Sequence, residues 1–340
     1  MSRLRSFHML EGSGEQKGAV LVVVLWVMMA MSMLALSFST SIRTEVDAAR
    51  NVVDQKESYY LARAGVEYAL YKIIEAQTAF ARIQQRREGD LQAIPAVLTG
   101  YIDLPLARGG AGVQISDETG KMNVNLAPGY LLYNLLIMVG LDEQQADMIT
   151  DSIEDWRDRD DLNRLNGAES NYYLALQDPY LAKNGLLDVP EELLLVKGIT
   201  PEIYYGRKGT TQDGAQIEYY ALQKYLTTFT TINRINVNSA PLPVLGAIPG
   251  LDFDVATEIV AMRQEAPIVN VTEIMERIPG IPTEASRVLS TVRSNVYTLV
   301  SDGYLSDSEV IGRIRCVVRV DRTSPKGYSV LYWNESNIEL

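Results

Sequence analysis

The stretch GEQKGAVLVVVLWVMMAMSMLALSFSTSI, residues 14–42, decides the first element of the fold. It contains no charged side chain from residue 19 to residue 42, and the polar lead-in before this run ends on Gly18. A twenty-residue α-helix is ~30 Å long, which matches the hydrocarbon thickness of a bilayer. We therefore expect a membrane-spanning helix over residues 19–40.

The position of the glycine distinguishes three ways in which this segment could be processed. A secretory signal has a core of only ~7–15 apolar residues, with a small-residue cleavage site after it. Residues 35–37 or 37–39 could serve as such a site, and an uncleaved signal anchor is the third possibility. Here the glycine precedes the core, which resembles the N-terminus of type IV pilins and type II secretion pseudopilins. The resemblance implies that a prepilin peptidase removes residues 1–18, cutting between Gly18 and Ala19 and leaving a methylated N-terminus.

Charge and composition exclude several classes of function. The chain has 340 residues and a net charge of −12, and its leader contains three basic and two acidic residues, so the processed chain carries −12 − 1 = −13. The only histidine, His8, lies in the leader, and Cys316 is the only cysteine. A processed chain would therefore have no histidine for a catalytic triad or a zinc site and no internal disulfide. The acidity disfavours nucleic acid as a partner, and we expect a protein that is not an enzyme.

The helical pattern continues beyond the apolar run. Apolar residues recur at three- and four-residue spacing, and the first proline is Pro95, so the sequence predicts one transmembrane and stem helix over residues 19–88. Two helices that break near Gly65 are the alternative. Five basic residues flank the membrane segment, three before it and two shortly after it, which mildly favours a cytoplasmic N-terminus.

Short extended segments lie at both ends of the remaining chain. Residues 112–117 alternate like a strand after the loop signal Gly109-Gly110, and three further strands are predicted near the C-terminus, over residues 295–300, 314–321 and 328–333. We expect residues 89–120 and 286–340 to form a small antiparallel sheet that packs on the stem helix. This is an α+β fold of the pilin type, with its sheet divided by a large insertion.

The insertion, residues 121–285, contains an internal repeat. Residues 122–128 (MNVNLAP) recur as residues 235–241 (INVNSAP), and after each copy come a helix, a glycine turn and further helices. Such units bury their apolar faces against one another, so the sequence predicts one all-α domain of two units. The units resemble helix-hairpin-helix modules, many of which bind DNA through backbone amides. Here Asp142 and Asp252 stand where a DNA-binding hairpin has a glycine, and their carboxylates would repel phosphate.

An acidic segment, residues 155–173, lies between the two copies of the repeat. Hard cations such as calcium bind several oxygen ligands, and carboxylates close in sequence can converge on one ion. An EF-hand is excluded because Leu162 and Asn163 occupy the places of a ligand and a glycine. The alternative is a solvated loop whose acids pair with nearby arginines. The candidate ligands are Asp158, Asp160, Asp161 and Glu169, with Asp155 as a reserve candidate.

The leader glycine, residues 117–123, the acidic segment, the second asparagine repeat and residues 192–200 together resemble the minor pseudopilin K family of type II secretion (general secretion pathway protein K). The resemblance implies a pilin-like domain with an inserted α-domain, a structural calcium site, and a position at the pseudopilus tip. It also implies minor pseudopilins I and J as partners, followed by the H-type and the major pseudopilin. Asn163 and Leu165 depart from a proline that is usual there, and residues 206–214 look like an added loop.

The fifth residue after the predicted cut, Val23, favours the same position. Pilins usually have a glutamate there, which pairs with the α-amine of the preceding subunit inside the membrane. A subunit without it cannot make this pair, and a tip subunit has no predecessor. The resemblance therefore implies a single-pass protein of a Gram-negative inner membrane with a periplasmic globular domain. A minor pilin of a type IV pilus and a membrane-anchored helix-hairpin-helix module for DNA uptake remain the alternatives.

Overall fold

The structure is a computed structural model that describes residues 15–86, 99–210, 216–219, 221–292, 294–321 and 323–335. Its contacts divide the chain into two compact units, Met1–Glu57 and Ser58–Leu340. Most of the predicted leader, residues 1–14, lies outside the described residues, as do residues 87–98 after the stem helix.

The described residues form nine helices and eleven strands. The helices are α1 (Glu15–Arg86), α2 (Gly129–Met138), α3 (Glu143–Arg157), α4 (Ser170–Tyr173), α5 (Pro201–Tyr205), α6 (Leu242–Gly246), α7 (Phe253–Glu265), α8 (Val271–Arg277) and α9 (Thr283–Val288). The strands are β1 (Gly100–Leu106), β2 (Gly109–Asp117), β3 (Met122–Asn123), β4 (Arg207–Thr210), β5 (Gln216–Tyr219), β6 (Leu226–Thr227), β7 (Ile235–Asn236), β8 (Leu289–Ser290), β9 (Val296–Leu305), β10 (Ile311–Val320) and β11 (Tyr328–Asn334).

Helix α1 is continuous for 72 residues and passes through Gly65 without a break, so the two-helix alternative is wrong. Gly65 is required for close packing. A Cβ atom there would lie 2.4 Å from Ser301 Oγ and 2.7 Å from Ala111 Cβ on the sheet. Among the described residues, α1 is the one helix that is long and apolar enough to cross a membrane.

The sheet has the strand order β1-β2-β9-β10-β11, and all its neighbouring strands are antiparallel. The three C-terminal strands and β2 were expected, whereas β1 was not. The prediction of a loop at Gly109-Gly110 is wrong, because both glycines lie in β2 and the turn is at residues 107–108. They are glycines because a Cβ atom on Gly109 would lie 2.0 Å from the Tyr304 carbonyl oxygen.

The sheet presents one face to α1 and the other to the insertion. Buried apolar side chains of α1 and of alternate sheet positions form one hydrophobic core, with contributions from Ala62, Val66, Leu70, Ile73, Val113, Ile115, Leu299, Ile314, Cys316 and Val318. On the opposite face of β10, Arg315 Nη1 donates to Glu191 Oε1 at 3.0 Å, and Arg319 Nη2 donates to the Phe229 carbonyl at 3.2 Å. Because successive side chains of a strand point to opposite faces, alternate residues of β10 contact α1 on one face and the insertion on the other.

The insertion forms a larger hydrophobic core and is helical, with short strands added. The strand β3 pairs in parallel with β6, and β7 pairs in parallel with β8. Because β8 is the partner of β7, the insertion extends to Ser290, and the boundary predicted between residues 285 and 286 falls inside α9. The added loop predicted at residues 206–214 is in part the antiparallel hairpin β4–β5, and residues 211–215 lie outside the described residues.

The sequence repeat is a structural repeat. The side chain of Asn125 exchanges two hydrogen bonds with the backbone of Leu187, at 2.8 and 2.9 Å, and Asn238 does the same with Ile268, at 2.9 and 2.8 Å. In each unit, an arginine near the end of the hairpin's second helix donates to the carbonyl of the valine between the two asparagines. Arg157 donates to Val124 in the first unit, and Arg263 donates to Val237 in the second. The asparagines therefore tie each helical hairpin to a later loop.

Asp142 and Asp252 cap the second helix of each hairpin. Asp142 Oδ1 accepts from the Gln145 amide at 2.9 Å, and Asp252 Oδ1 accepts from the Val255 amide at 2.9 Å. Carboxylates satisfy the unpaired amides of a helix N-terminus and interact favourably with its dipole. In each hairpin, one of the amides that a DNA-binding hairpin would offer to phosphate is therefore already occupied.

A buried polar joint (Asp117, Glu118, Lys121 and their partners) connects the end of β2 to both repeat units. The carboxylate of Asp117 accepts from Asn236 Nδ2 at 3.1 Å and from Ser239 Oγ at 2.6 Å, both in the second unit. Glu118 accepts from Lys121 Nζ at 2.5 Å and from Thr298 Oγ1 of β9 at 2.6 Å. This joint fixes the insertion to the sheet, which gives the sequence DETGKMN a structural role.

Candidate cation site in the acidic segment

The acidic segment is an addition to the first repeat unit. In the second unit, Ile268 follows Arg263 by five positions, whereas in the first unit the equivalent Leu187 follows Arg157 by thirty positions. The added residues have a small aromatic core of their own. Trp156 packs edge-on against Tyr173, with ring centroids 5.1 Å apart, and Tyr173 stacks on Tyr180 at 5.2 Å. The loop is therefore an ordered element at the C-terminal end of α3.

Three of the five predicted ligands converge. Asp158, Asp160 and Glu169 each offer a carboxylate oxygen, and these atoms all lie within 4.8 Å of one another. Glu169 is only 1% exposed, and neither of its carboxylate oxygens has a hydrogen-bond partner among the described residues. Asp158 Oδ1 is likewise buried without a partner among them. A buried carboxylate that lacks donors is costly, and a cation removes that cost.

The raised pKa of Glu169 indicates the same lack of positive charge around its carboxylate. Burial, followed by the neighbouring carboxylates of Asp155, Asp158, Asp161 and Asp160, raises the pKa of Glu169 to about 7 from its ordinary value of 4.5. Burial and like charges both disfavour the ionised form of a carboxyl group. Four acidic neighbours around one buried carboxylate are typical of a site that binds a hard cation.

The other two predicted ligands are held elsewhere. Asp155 is completely buried, and its carboxylate accepts from the side chain and the backbone amide of Arg164, with Nη1 at 2.7 Å from Oδ1. Asp161 Oδ1 accepts from Asn184 Nδ2 at 2.9 Å. The geometry thus favours Asp158, Asp160 and Glu169 over Asp155 and Asp161 as the ligand set.

Asn184 is a candidate ligand that sequence reasoning missed. Its backbone has a φ of 46°, a conformation that asparagine tolerates better than most residues. Its Nδ2 also donates to the Asp160 carbonyl at 3.2 Å, and its Oδ1 is buried with no partner among the described residues. An amide oxygen is an acceptable calcium ligand. Asn184 follows Asp160 by 24 residues, so sequence proximity gave no signal for it.

The donor set present fits a hard divalent cation. The site offers carboxylate and amide oxygens, with neither histidine nor cysteine among the residues that converge there. All-oxygen ligation is typical of calcium and magnesium rather than of zinc or copper. Asp158, Asp160 and Glu169 would hold the ion, and Asn184 Oδ1, which is buried without a partner among the described residues, is a further candidate ligand.

The predicted processing site and tip marker lie in the N-terminal compact part of the chain, Met1–Glu57. Gly18, Ala19 and Val23 are all part of α1, and the side chain of Val23 is 61% exposed. An exposed valine in an apolar helix is consistent with contact with lipid. Neither Gly18 nor Val23 is near the acidic segment in sequence.

Two sequence profiles described as "Type II secretion system (T2SS), protein K" match this chain. The first covers residues 114–206, from β2 to the end of the first unit's helices, and the second covers residues 235–292, from β7 to β8. The hairpin β4–β5 lies in the interval between the two matched regions.

Curated relatives carry the same description. The chain is 22% identical over 331 residues to the type II secretion system protein K of Pseudomonas aeruginosa, a match that covers 89% of this chain and 92% of the relative. It is 29% identical over 211 residues to the protein K of Pectobacterium carotovorum and 24% identical over 208 residues to that of Aeromonas hydrophila. Each of these two matches covers 56% of this chain and less than two thirds of the relative, 60% and 61% respectively.

A solved structure shares the fold. A chain of the crystal structure of the GspK-GspI-GspJ complex from the type 2 secretion system of enterotoxigenic Escherichia coli aligns with a TM-score of 0.55 at 20% identity. The alignment covers 81% of this chain and 99% of that chain. The long helix, the antiparallel sheet and the helical insertion are therefore a known architecture.

Proposed function

Because two protein K profiles and curated protein K relatives match this chain, we propose that it belongs to the type II secretion system protein K family and is a minor pseudopilin without enzymatic activity. In this proposal, it stands in one copy at the tip of the pseudopilus. One observation carries this proposal: residues 121–290, half of the chain, are fixed on the face of the sheet opposite the stem helix. Pilin subunits pack helically through their stem helices, so a shaft subunit has neighbours above and below its head. A bulk of this size fits only where no subunit lies above.

The membrane part of the proposal depends on the N-terminal segment. We infer that a prepilin peptidase cuts between Gly18 and Ala19, that the new N-terminus is methylated, and that residues 19–40 anchor the chain in the inner membrane with the globular domain in the periplasm. Val23 supports the tip position, because a valine cannot neutralise the α-amine of a preceding subunit.

The DNA-uptake alternative is disfavoured by the hairpins. Asp142 and Asp252 occupy the helix N-termini, and each accepts from an amide that phosphate would otherwise use. The net charge of −12 opposes binding to a polyanion as well.

Co-expression with the I- and J-type minor pseudopilins of the same organism tests the assembly role. We expect the detergent-solubilised chains to give a 1:1:1 complex by native mass spectrometry, with this chain beginning at Ala19. Excision of residues 121–290 should preserve the ratio, because the stem helix and sheet provide the contacts. Many copies along a filament, seen with a fused tag, would contradict the tip position. Labelling Cys316 is unsuitable because it is fully buried, and burial raises the pKa of its thiol to about 12.

We further propose that the acidic segment binds calcium as a structural ion. A ligand that binds only the folded state at a hundred times its dissociation constant contributes ~2.7 kcal/mol, which raises the melting temperature of a chain of this size by about 4–5 °C. We expect this difference between calcium and chelator in melts of the solubilised full-length chain at pH 8. Glu169→Gln should remove it, whereas Glu276→Gln, an exposed glutamate of α8, should retain it.

The calcium effect should also depend on pH. Without the ion, Glu169 has a pKa of about 7 in the folded state against 4.5 ordinarily, so the folded state binds its proton more tightly. This group's contribution to stability is complete below pH 4.5 and is lost as the pH rises through 7. Calcium requires the ionised carboxylate, so the difference between calcium and chelator should be smaller at pH 6 than at pH 8. Equal differences at both pH values would favour the solvated-loop alternative.

A further inference from the structure

Arg164 lies between two groups of carboxylates. We call Glu154 and Asp155 the inner half of the site, and Asp158, Asp160 and Glu169 the outer half. The Arg164 guanidinium contacts three carboxylates: Nε lies 3.1 Å from Glu154 Oε2, and Nη1 lies 2.7 Å from Asp155 Oδ1 and 2.5 Å from Asp158 Oδ2. Asp155 is completely buried, so its charge would be very costly without this partner. Burial alone would lower the pKa of Arg164, but its bonds with Asp158 and Asp155 outweigh burial and raise it.

Asp158 connects this inner half to the candidate cation site. One of its oxygens, Oδ2, accepts from Arg164, whereas Oδ1 is buried without a partner among the described residues. The carboxylate thus stands between a guanidinium and the group that it forms with Asp160 and Glu169. A carboxylate that bridges two positive centres is the usual arrangement of a two-cation site, and here the protein itself provides one of the two.

The charges of the two halves differ accordingly. In the inner half, Glu154 and Asp155 face two guanidinium groups, because Arg157 Nη2 also lies 3.3 Å from Glu154 Oε1. In the outer half, the one cationic side chain of the described residues that contacts Asp158, Asp160 or Glu169 is Arg164, which is bonded to Asp158. The inner half is therefore neutralised by the chain, whereas the outer half retains three carboxylates, whose charge of −3 one divalent ion would reduce to −1.

The loop is built to bring Arg164 to this position. The Arg164 backbone amide donates to Asp155 Oδ2 at 3.2 Å, and Lys197 Nζ donates to the carbonyls of Asn166 and Gly167, each at 3.0 Å. A Cβ atom on Gly167 would lie 2.0 Å from Asp155 Oδ2, so only glycine permits this closure.

We propose that the Arg164 guanidinium is a built-in cation that takes the inner position of a two-cation arrangement, so that the acidic segment binds one divalent ion, at Asp158, Asp160 and Glu169. This inference rests on the proposed calcium site and specifies its stoichiometry. Removal of the guanidinium frees the Asp155 carboxylate, Glu154 Oε2 and Asp158 Oδ2 as ligands, while Glu154 Oε1 keeps its contact with Arg157. The segment then has carboxylates for two ions.

The test is the calcium content of the detergent-solubilised full-length chain after equilibrium dialysis, measured by inductively coupled plasma mass spectrometry. We expect one calcium per wild-type chain and two per Arg164→Gln chain. Arg164→Lys, which retains the positive charge, should bind one. So should the matched control Arg159→Gln, which removes an exposed guanidinium from the same segment.

The outcomes separate this inference from the calcium site itself. No bound calcium in the wild type would overturn the site and the inference together. One calcium in the wild type with one or none in Arg164→Gln would overturn only the inference, because the guanidinium would then have a purely structural role. The wild-type ratio tests the inference even if Arg164→Gln fails to fold. Two calcium ions per wild-type chain would mean that the Arg164 guanidinium does not take the place of a calcium ion.

Discussion

The substitution Gly303→Ala is expected to lower the free energy of unfolding by about 3 kcal/mol, the upper end of the usual cost of overpacking. A Cβ atom on Gly303 would lie 2.0 Å from the Ser58 carbonyl oxygen and 2.3 Å from the Ala62 amide nitrogen. Both atoms belong to the backbone of α1, so no side-chain rotation relieves the contact. The helix and the sheet must separate instead, and every apolar contact of that interface is weakened.

Melting of the solubilised full-length chain measures this effect, and ~3 kcal/mol corresponds to a decrease of about 4–5 °C in a chain of this size. The matched control is Gly185→Ala, where the nearest atom to the added Cβ lies 3.7 Å away and the backbone φ is not in the left-handed region. That substitution should change stability by less than about 0.5 kcal/mol. Gly312→Ala should resemble Gly303→Ala, since its Cβ would lie 2.5 Å from the Tyr59 amide nitrogen. Equal shifts for Gly303→Ala and Gly185→Ala would show that the helix does not need these glycines.

The stem helix and the repeat could be predicted because their signals are local. Uninterrupted three- and four-residue spacing predicts one helix, and α1 is one helix from Glu15 to Arg86. The recurrence of Asn-Val-Asn predicts equivalent structures, and both copies make the same contacts. In each case the residues that decide the structure are neighbours in sequence or copies of one another.

The glycines of β2 could not be interpreted from sequence. Gly109-Gly110 has the composition of a turn, and its true role appears only when Tyr304 of β9 lies against it. Paired glycines permit a turn and also permit close approach, and the partner that distinguishes these cases is almost 200 residues away. The same limit hid β1, which contains Pro105 and lies at the edge of the sheet, where proline is tolerated.

The candidate cation site was predicted in composition and only in part in geometry. The density of acids at residues 155–169 was enough to suggest a cation, yet it could not show that Asp155 pairs with Arg164. It also could not show Asn184, which reaches the segment from a later turn. Which oxygens face one another depends on the closure of the loop, and this is set by contacts such as that of Lys197 with the Gly167 carbonyl.

The segment DETGKMN, residues 117–123, contributes to the family resemblance, but its sequence does not show what it does. In the structure it contains a buried ion pair, on which the second prediction rests. Glu118 and Lys121 form an ion pair whose side chains are only 2% and 9% exposed. Burial alone would raise the pKa of Glu118, but the ammonium of Lys121 and the hydroxyls of Thr227 and Thr298 outweigh burial and lower it. The carboxylate is therefore ionised at neutral pH and depends on these donors.

Lys121→Met is expected to lower the free energy of unfolding by about 3–5 kcal/mol, because it leaves the charge of Glu118 buried without its cation. The double variant Glu118→Gln, Lys121→Met should recover a large part of this loss, since the buried charge is then absent as well. Lys326→Met, at an exposed turn, is the matched control and should have little effect on the melting temperature. The sign of the pH dependence follows from the lowered pKa of Glu118: its stabilisation is present above the ordinary value of 4.5 and is lost as the pH falls towards the folded-state value. If the double variant were no more stable than Lys121→Met, the loss would come from packing, and the joint would not depend on the ion pair.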